Sequence, residues 1–174
     1  MNAVPPLSIT MSPVPAHLTV ADPLAAGALA PLLAAARALQ AAQLDGAARP
    51  SLKGRIFAVL CAADEDDRLE IAIIDHAATE LGARVAHIRP HLSERSDPHT
   101  IELTAHMLGR LYSAVLCPAI APGLRERLSA VAGIPILGGL DDPAHPVSQV
   151  TAMLGGGAEE RKFALQALLL RSVG

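Results

Sequence analysis

Two rhythms of apolar residues alternate along the 174-residue chain. Ile56-Phe57-Ala58-Val59-Leu60-Cys61 is apolar at every position, as a strand buried on both faces of a parallel sheet should be. Three further short runs read as strands: Arg84 to Ile88, Ala114 to Cys117 and Ile134 to Leu137. Between them the apolar positions recur at helical spacing. Leu24, Leu29, Leu32, Leu33, Ala36, Leu39 and Ala42 predict a first helix that reaches about Leu44, capped by Asp22 with Pro23 at its first position and ended by Asp45-Gly46. Helices are also predicted for Asp66 to Leu81, Thr100 to Leu111, Gly123 to Val131 and Pro146 to Leu154. After the break Gly155-Gly156-Gly157, a last one spans Ala158 to Arg171. Strand–helix alternation at this spacing calls for an α/β fold, a parallel sheet with helices on both faces. Ligands of such sheets sit at the carboxyl ends of the strands.

Residues 1–21 follow neither rhythm. Pro5, Pro6, Pro13 and Pro15 forbid a continuous helix and favour extended backbone. This Pro-rich arm is either a tail or a strap docking on a neighbouring subunit, for which Val4, Leu7, Ile9, Val14 and Leu18 supply apolar contacts.

Composition narrows the partners. Hydrophobic residues are 51% and charged ones 18% of the chain, enough for a packed core. Aromatics are only 2%, and 14 Lys plus Arg stand against 17 Asp plus Glu, a net charge of −3. Neither a stacking platform nor a basic footprint is present, so nucleic acid is not an expected partner. Two cysteines, Cys61 and Cys117, make no disulfide framework. The window Leu24 to Leu44 contains Pro31, Arg37 and Gln40 and its apolar content is mostly Ala, too weakly apolar for a bilayer. With no signal peptide in the opening residues, the expected setting is the reducing cytoplasm, without membrane contact.

Several phrases recur in a fixed order: Leu52-Lys53-Gly54-Arg55, Leu81-Gly82-Ala83-Arg84-Val85, Thr104-Ala105, Leu108-Gly109-Arg110-Leu111-Tyr112, Ile134-Pro135-Ile136, Gly139-Leu140 and His145-Pro146. Together they resemble the N-terminal, carbamoyl-phosphate-binding domain of the aspartate/ornithine carbamoyltransferases over residues 22–154. The resemblance implies a three-layer α/β/α domain with a four-stranded parallel sheet, a single domain here. It also implies a homo-oligomer, a trimer in the family's manner. Residues 155–174, the C-terminal helix with Phe163, Leu165, Leu168, Leu169 and Leu170, match in position a family helix that folds back onto this domain. Its leucines and the Ala-rich first helix would leave apolar faces for subunit contact.

The family's phosphate cradle, Ser-Thr-Arg-Thr-Arg, directly follows the first strand. Here that place holds Ala62-Ala63-Asp64-Glu65-Asp66-Asp67-Arg68. Carboxylates at a helix N-terminus cap its free N–H groups and repel a phosphate, which leaves Arg68 as the cation of the segment. Asp97-Pro98-His99-Thr100 replaces the family's lysine-bearing loop, and Pro118 stands where a phosphate-binding arginine is expected. His145 and Pro146 match the His-Pro-x-Gln signature, but Ser148 takes the Gln place and Gln149 lies one further on. The resemblance gives that His an oxyanion-type role on the carbamoyl oxygen. The candidate residues are therefore His145 as catalytic group, and Arg68, His145, Pro146 and Gln149 as ligand-binding groups.

Other clusters read structurally. Asp64 to Asp67 could hold a divalent cation, yet capping explains them. His87 and His91 straddle Pro90, so helical spacing for a zinc pair is unavailable. Arg110 reads as a helix-end partner, and Cys61 and Cys117 as small hydrophobes at neighbouring strand ends. No metal and no cofactor is called for. Two readings remain: a non-catalytic homologue that forms oligomers or binds a partner, and a half-subunit that binds carbamoyl phosphate or another small anion and completes its site with a separate carbamoyltransferase subunit or amino-acid-binding domain.

Overall fold

The computed structural model of the chain describes residues 28–47, 49–61 and 68–174. The Pro-rich arm, the Asp22–Pro23 cap and the acidic run Asp64–Asp67 lie outside the described residues.

Four strands, β1 (Ile56–Leu60), β2 (Arg84–Ile88), β3 (Ala114–Cys117) and β4 (Ile136–Gly138), pair in parallel in the order β2-β1-β3-β4. The register sets Phe57 beside Val85 and Ala114, and Leu116 beside Leu137. Among the described residues six helices surround the sheet: α1 (Leu29–Leu44), α2 (Arg68–Glu80), α3 (Pro98–Leu111), α4 (Pro122–Ala132), α5 (Pro146–Leu154) and α6 (Ala158–Ser172).

The strand period of two divides the core. Phe57 and Val59 point into a cluster with α1, α2, α5 and α6, containing Leu32, Ile74 and Leu165. Ala58 and Leu60 point the other way, against Ile101, Leu108, Leu124 and Leu128 of α3 and α4. The α3–α4 crossing is close: a Cβ on Gly109 would collide with the carbonyl oxygen of Ala132. That contact accounts for the glycine in the Leu108-Gly109-Arg110 phrase.

Element boundaries differ from the expectations by short-range chemistry. Helix α3 starts at Pro98, two residues early, because the Asp97 carboxylate accepts from the Thr100 N–H at 3.1 Å and caps it. Strand β4 starts at Ile136 rather than Ile134. Pro135 has no N–H to donate and enters only as acceptor, from Val115 N at 2.9 Å.

Helix α6 corrects one expectation. Its residues from Lys162 to Leu169 are all buried, against α1, α2 and α5. The leucine-rich last helix is thus covered within the chain and leaves no apolar face for a neighbouring subunit. Lys162 Nζ reaches Glu159 at 2.8 Å and Glu80 at 3.2 Å, and Gln166 Nε2 donates to Glu80 at 2.9 Å, while the buried Gln166 Oε1 accepts no hydrogen bond. Burial pushes the Glu80 carboxyl up, but Lys162, Gln166 and His76 outweigh it and hold the group below its ordinary value. The exposed apolar stripe lies elsewhere, on α3, where Leu103, Met107 and Leu111 recur every four residues.

Candidate functional site

The order in which strands are added reverses between β1 and β3, since β1 is followed outward by β2 on one side and β3 by β4 on the other. Crevices form at such switch points, beyond the carboxyl ends of the strands. The carboxyl edge of this sheet has two halves of opposite character.

The β4–α5 half carries most of the residues singled out in the sequence. His145 is the N-cap of α5, and its Nδ1 accepts from the Val147 N–H at 3.1 Å, so the proton of the neutral ring sits on Nε2. Pro146 is the first helical residue, a position where the missing N–H costs nothing. Gln149 turns back to donate to the Ala144 carbonyl at 2.7 Å, and Ser148 donates to the Leu140 carbonyl at 2.8 Å. Arg161 of α6 donates to Leu140 O and forms a two-pronged pair with Glu70 of α2, each contact 2.7 Å. The Nδ1 of His145 and the side chains of Ser148, Gln149, Arg161 and Glu70 are thus tied to backbone or to one another.

Arg68 is the first residue of α2 and is exposed. Pro118 follows β3 directly, and the edge there gains a cation that sequence reading did not find. Arg125 of α4 lies against the end of β4, its Cδ and Nη1 at 2.6 and 2.9 Å from where a Cβ of Gly138 would stand. The Gly138-Gly139 pair is the sequence signal, because any side chain at Gly138 would displace the guanidinium. Arg125 also bears on Cys117: burial pushes that thiol up to about 12, against the opposing pull of Arg125. Cys117 is a packed thiol rather than a nucleophile, and neither it nor Cys61 is in a disulfide.

The β2–β1–β3 half is open. Beyond the strand ends lies a cleft of about 740 Å³, lined by Cys61 after β1, Arg89 to Arg95 after β2, and Ala119 to Ala121 with Leu124 after β3. Its outer wall is held by Glu94, which accepts from the Gly123 N–H at 3.1 Å, while Arg127 donates to the Glu94 carbonyl at 3.0 Å. His87 is not part of it: Nε2 pairs with Asp75 at 2.8 Å. Among the described residues no group of three His, Cys, Asp or Glu side chains could hold a metal ion. Nor is any helix among them long and apolar enough to cross a membrane.

No family model matches the chain. Individual proteins do. The catabolic ornithine carbamoyltransferase of Pseudomonas putida is 29% identical over 123 residues, 71% of this chain and 36% of that protein. An ornithine carbamoyltransferase of Haemophilus influenzae is 28% identical over the same extent. The relatives this chain matches in sequence are ornithine carbamoyltransferases, and its structural neighbours include aspartate carbamoyltransferases as well.

The match to these carbamoyltransferases is partial and resembles their N-terminal domain; the chain spans about 36% of the length of those curated relatives. Among solved structures, the Burkholderia thailandensis ornithine carbamoyltransferase superposes with a TM-score of 0.58 at 16% identity, over 74% of this chain and 45% of that one. Aspartate transcarbamoylase of Trypanosoma cruzi, solved with carbamoyl aspartate and phosphate, gives 0.56 at 22%, over 73% and 39%. At these identities the likeness establishes the α/β fold of the carbamoyltransferase domain.

Proposed function

We propose that this chain is a carbamoyltransferase-like domain that does not transfer carbamoyl groups by itself and acts in the cytoplasm as an oligomer-forming component. One observation carries the reading: the candidate ligand groups of the β4–α5 half already serve the fold. His145 Nδ1 caps α5, Gln149 closes on Ala144 and Ser148 on Leu140. A phosphate has no arginine at Pro118 to meet, and the segment after β1 carries Asp64, Glu65, Asp66 and Asp67 in place of hydroxyls and guanidiniums. Charge-assisted contacts are worth about 1.5–3 kcal/mol each, so losing several removes most affinity for carbamoyl phosphate.

The assembly role rests on the α3 stripe. Leu103, Met107 and Leu111 are 57%, 46% and 56% exposed on one helix face, which a second copy of the chain would cover.

Two measurements test this. Purified protein should show no carbamoyl transfer to ornithine or aspartate and no calorimetric binding of carbamoyl phosphate at millimolar levels. Turnover above background that His145→Ala abolishes would overturn the first statement. It would favour the half-subunit reading if it required an added amino-acid-binding domain. Light scattering should give a homo-oligomer that Met107→Lys dissociates; a monomeric wild type would overturn the second.

A further inference from the structure

We propose that the N-terminal arm adds a strand to the sheet: residues 7–12 pair with the free edge of β2 in the same chain. The edge is the first support. The strand order places β2 outermost, and among the described residues its ladder partner is β1. Arg84 N–H donates to Arg55 O at 3.0 Å, and Ile88 O accepts from Cys61 N–H at 2.9 Å. Backbone groups of successive residues alternate in direction along a strand, so Arg84, Ala86 and Ile88 face β1 while Val85 and His87 face outward. Among the described residues no strand meets those outward N–H and C=O groups, a row that another extended segment can pair with. The opposite edge, β4, is only 3 residues long and offers less.

Pattern and charge name the occupant. Leu7-Ser8-Ile9-Thr10-Met11-Ser12 alternates apolar and polar residues at the strand period, bounded by Pro6 and Pro13. Its length suits the 5 residues of β2. The register puts Ala86 and Ile88 on the same face as Ala58 and Leu60. Ala58 and Leu60 are fully buried there, whereas Ala86 and Ile88 are only half-buried. With Leu7, Ile9 and Met11 turned to that face, the arm covers what α3 and α4 leave open. Arg84 opens β2 and Arg89 follows it, so a second copy's β2 laid antiparallel would bring arginines together. Residues 1–16 carry no charged side chain and meet no such repulsion.

Reach favours the chain's own arm over a neighbour's. Arg49 donates to Gln43 in the last turn of α1 at 3.2 Å and to Glu80 at the end of α2 at 3.4 Å. Leu52 N–H donates to Leu81 O at 2.7 Å, just before β2. The end of α1 thus stands near where β2 begins. Helix α1 has 16 residues and is about 24 Å long, while residues 13–27 span up to about 50 Å when extended. The arm therefore reaches β2 from the start of α1, and a tether of this length holds it there at an effective concentration on the order of millimolar. None of these residues belongs to the α3 stripe or to the β4–α5 half.

Amide hydrogen exchange of the full chain, read residue by residue, tests the added strand. The Val85 and His87 amides should exchange at least roughly tenfold more slowly than exposed ones. Those of Ala86 and Ile88, which face β1, serve as the internal standard. Adjacent strand residues turn their N–H groups to opposite sides, so prolines at both 9 and 10 remove a donor facing β2 in either register. In the Ile9→Pro, Thr10→Pro double variant, Val85 and His87 should exchange freely while Ala86 and Ile88 stay protected, which shows that the fold persists. Wild-type protection of Val85 and His87 should survive a roughly hundredfold dilution, as pairing within one chain must. Free exchange of both amides in wild type would overturn the proposal. So would protection that the two prolines leave intact, or protection lost on dilution, which would put a second copy on the edge.

Discussion

On the β4 side of the sheet's carboxyl edge, Glu70, Arg161, Ser148, Gln149 and the Nδ1 of His145 have hydrogen bonds made within the chain. On the β2 side, Arg89, His91 and Arg95 have none among the described residues. Both halves stand at the ends of strands in one sheet, so the contrast reflects what packs behind each. Behind the β4 half lies α6, buried from Lys162 to Leu169, whose Arg161 reaches forward to the edge. At the β2 half the loop is anchored on α4, where Gly123 N–H donates to the Glu94 carboxylate and Arg127 to the Glu94 carbonyl, and among the described residues no helix reaches Arg89, His91 or Arg95 with a hydrogen bond or ion pair. A polar residue at a strand end therefore serves the fold or stays available according to whether a second helical layer reaches it.

Removing a member of the closed half should be expensive. Arg161→Ala strands the Glu70 carboxylate, which is only 18% exposed, and should cost about 3 kcal/mol in urea unfolding. A loss under 1 kcal/mol would mean that the pair closes the edge without stabilising it. Beneath it, Glu80→Gln should cost about 2 kcal/mol at neutral pH because Lys162, Gln166 and His76 all face that carboxylate. Its carboxyl is lowered in the folded state, so the stabilisation is present above the unfolded value and fades as pH falls through the folded one. Wild type and variant should converge below pH 4.5, the ordinary value, in unfolding curves taken stepwise from pH 7. His145→Ala should cost about 1 kcal/mol as a lost N-cap, and His145→Asn should recover most of it. If both variants lose the same amount, the ring packs rather than caps. Smallest of all, Arg89→Gln and Arg95→Gln should each change stability by less than about 0.5 kcal/mol, as unpartnered surface groups do. A larger drop would erase the distinction between the halves.

The fold was legible because its signals are local. The all-apolar run at β1, the alternation of Phe57 and Val59 with Ala58 and Leu60, and Pro146 before α5 each specify an element from neighbouring residues alone. What stayed hidden depends on pairs far apart in sequence. Arg161 and Glu70 are 91 residues apart, and Arg125 meets Gly138 only after β4 has paired with β3. Family phrases brought His145, Pro146 and Gln149 to notice, yet nothing in a motif tells that the Gln149 amide will close on Ala144. The arginines after β2 sit in a loop without periodicity, and no pattern marks a guanidinium as unpaired.

The central position of α6 has a consequence for synthesis. Helix α1 packs on α6 across more than a hundred residues of intervening chain, and α2 and α5 lean on the same helix. Native contacts so distant in sequence raise the contact order and slow folding. On the ribosome, the β-strands and the first five helices would emerge before the element that fills the space between α1, α2 and α5. Until residues 158–172 arrive, Leu32, Leu39 and Ile74 lack their neighbours, and that nascent surface is what a chaperone would hold.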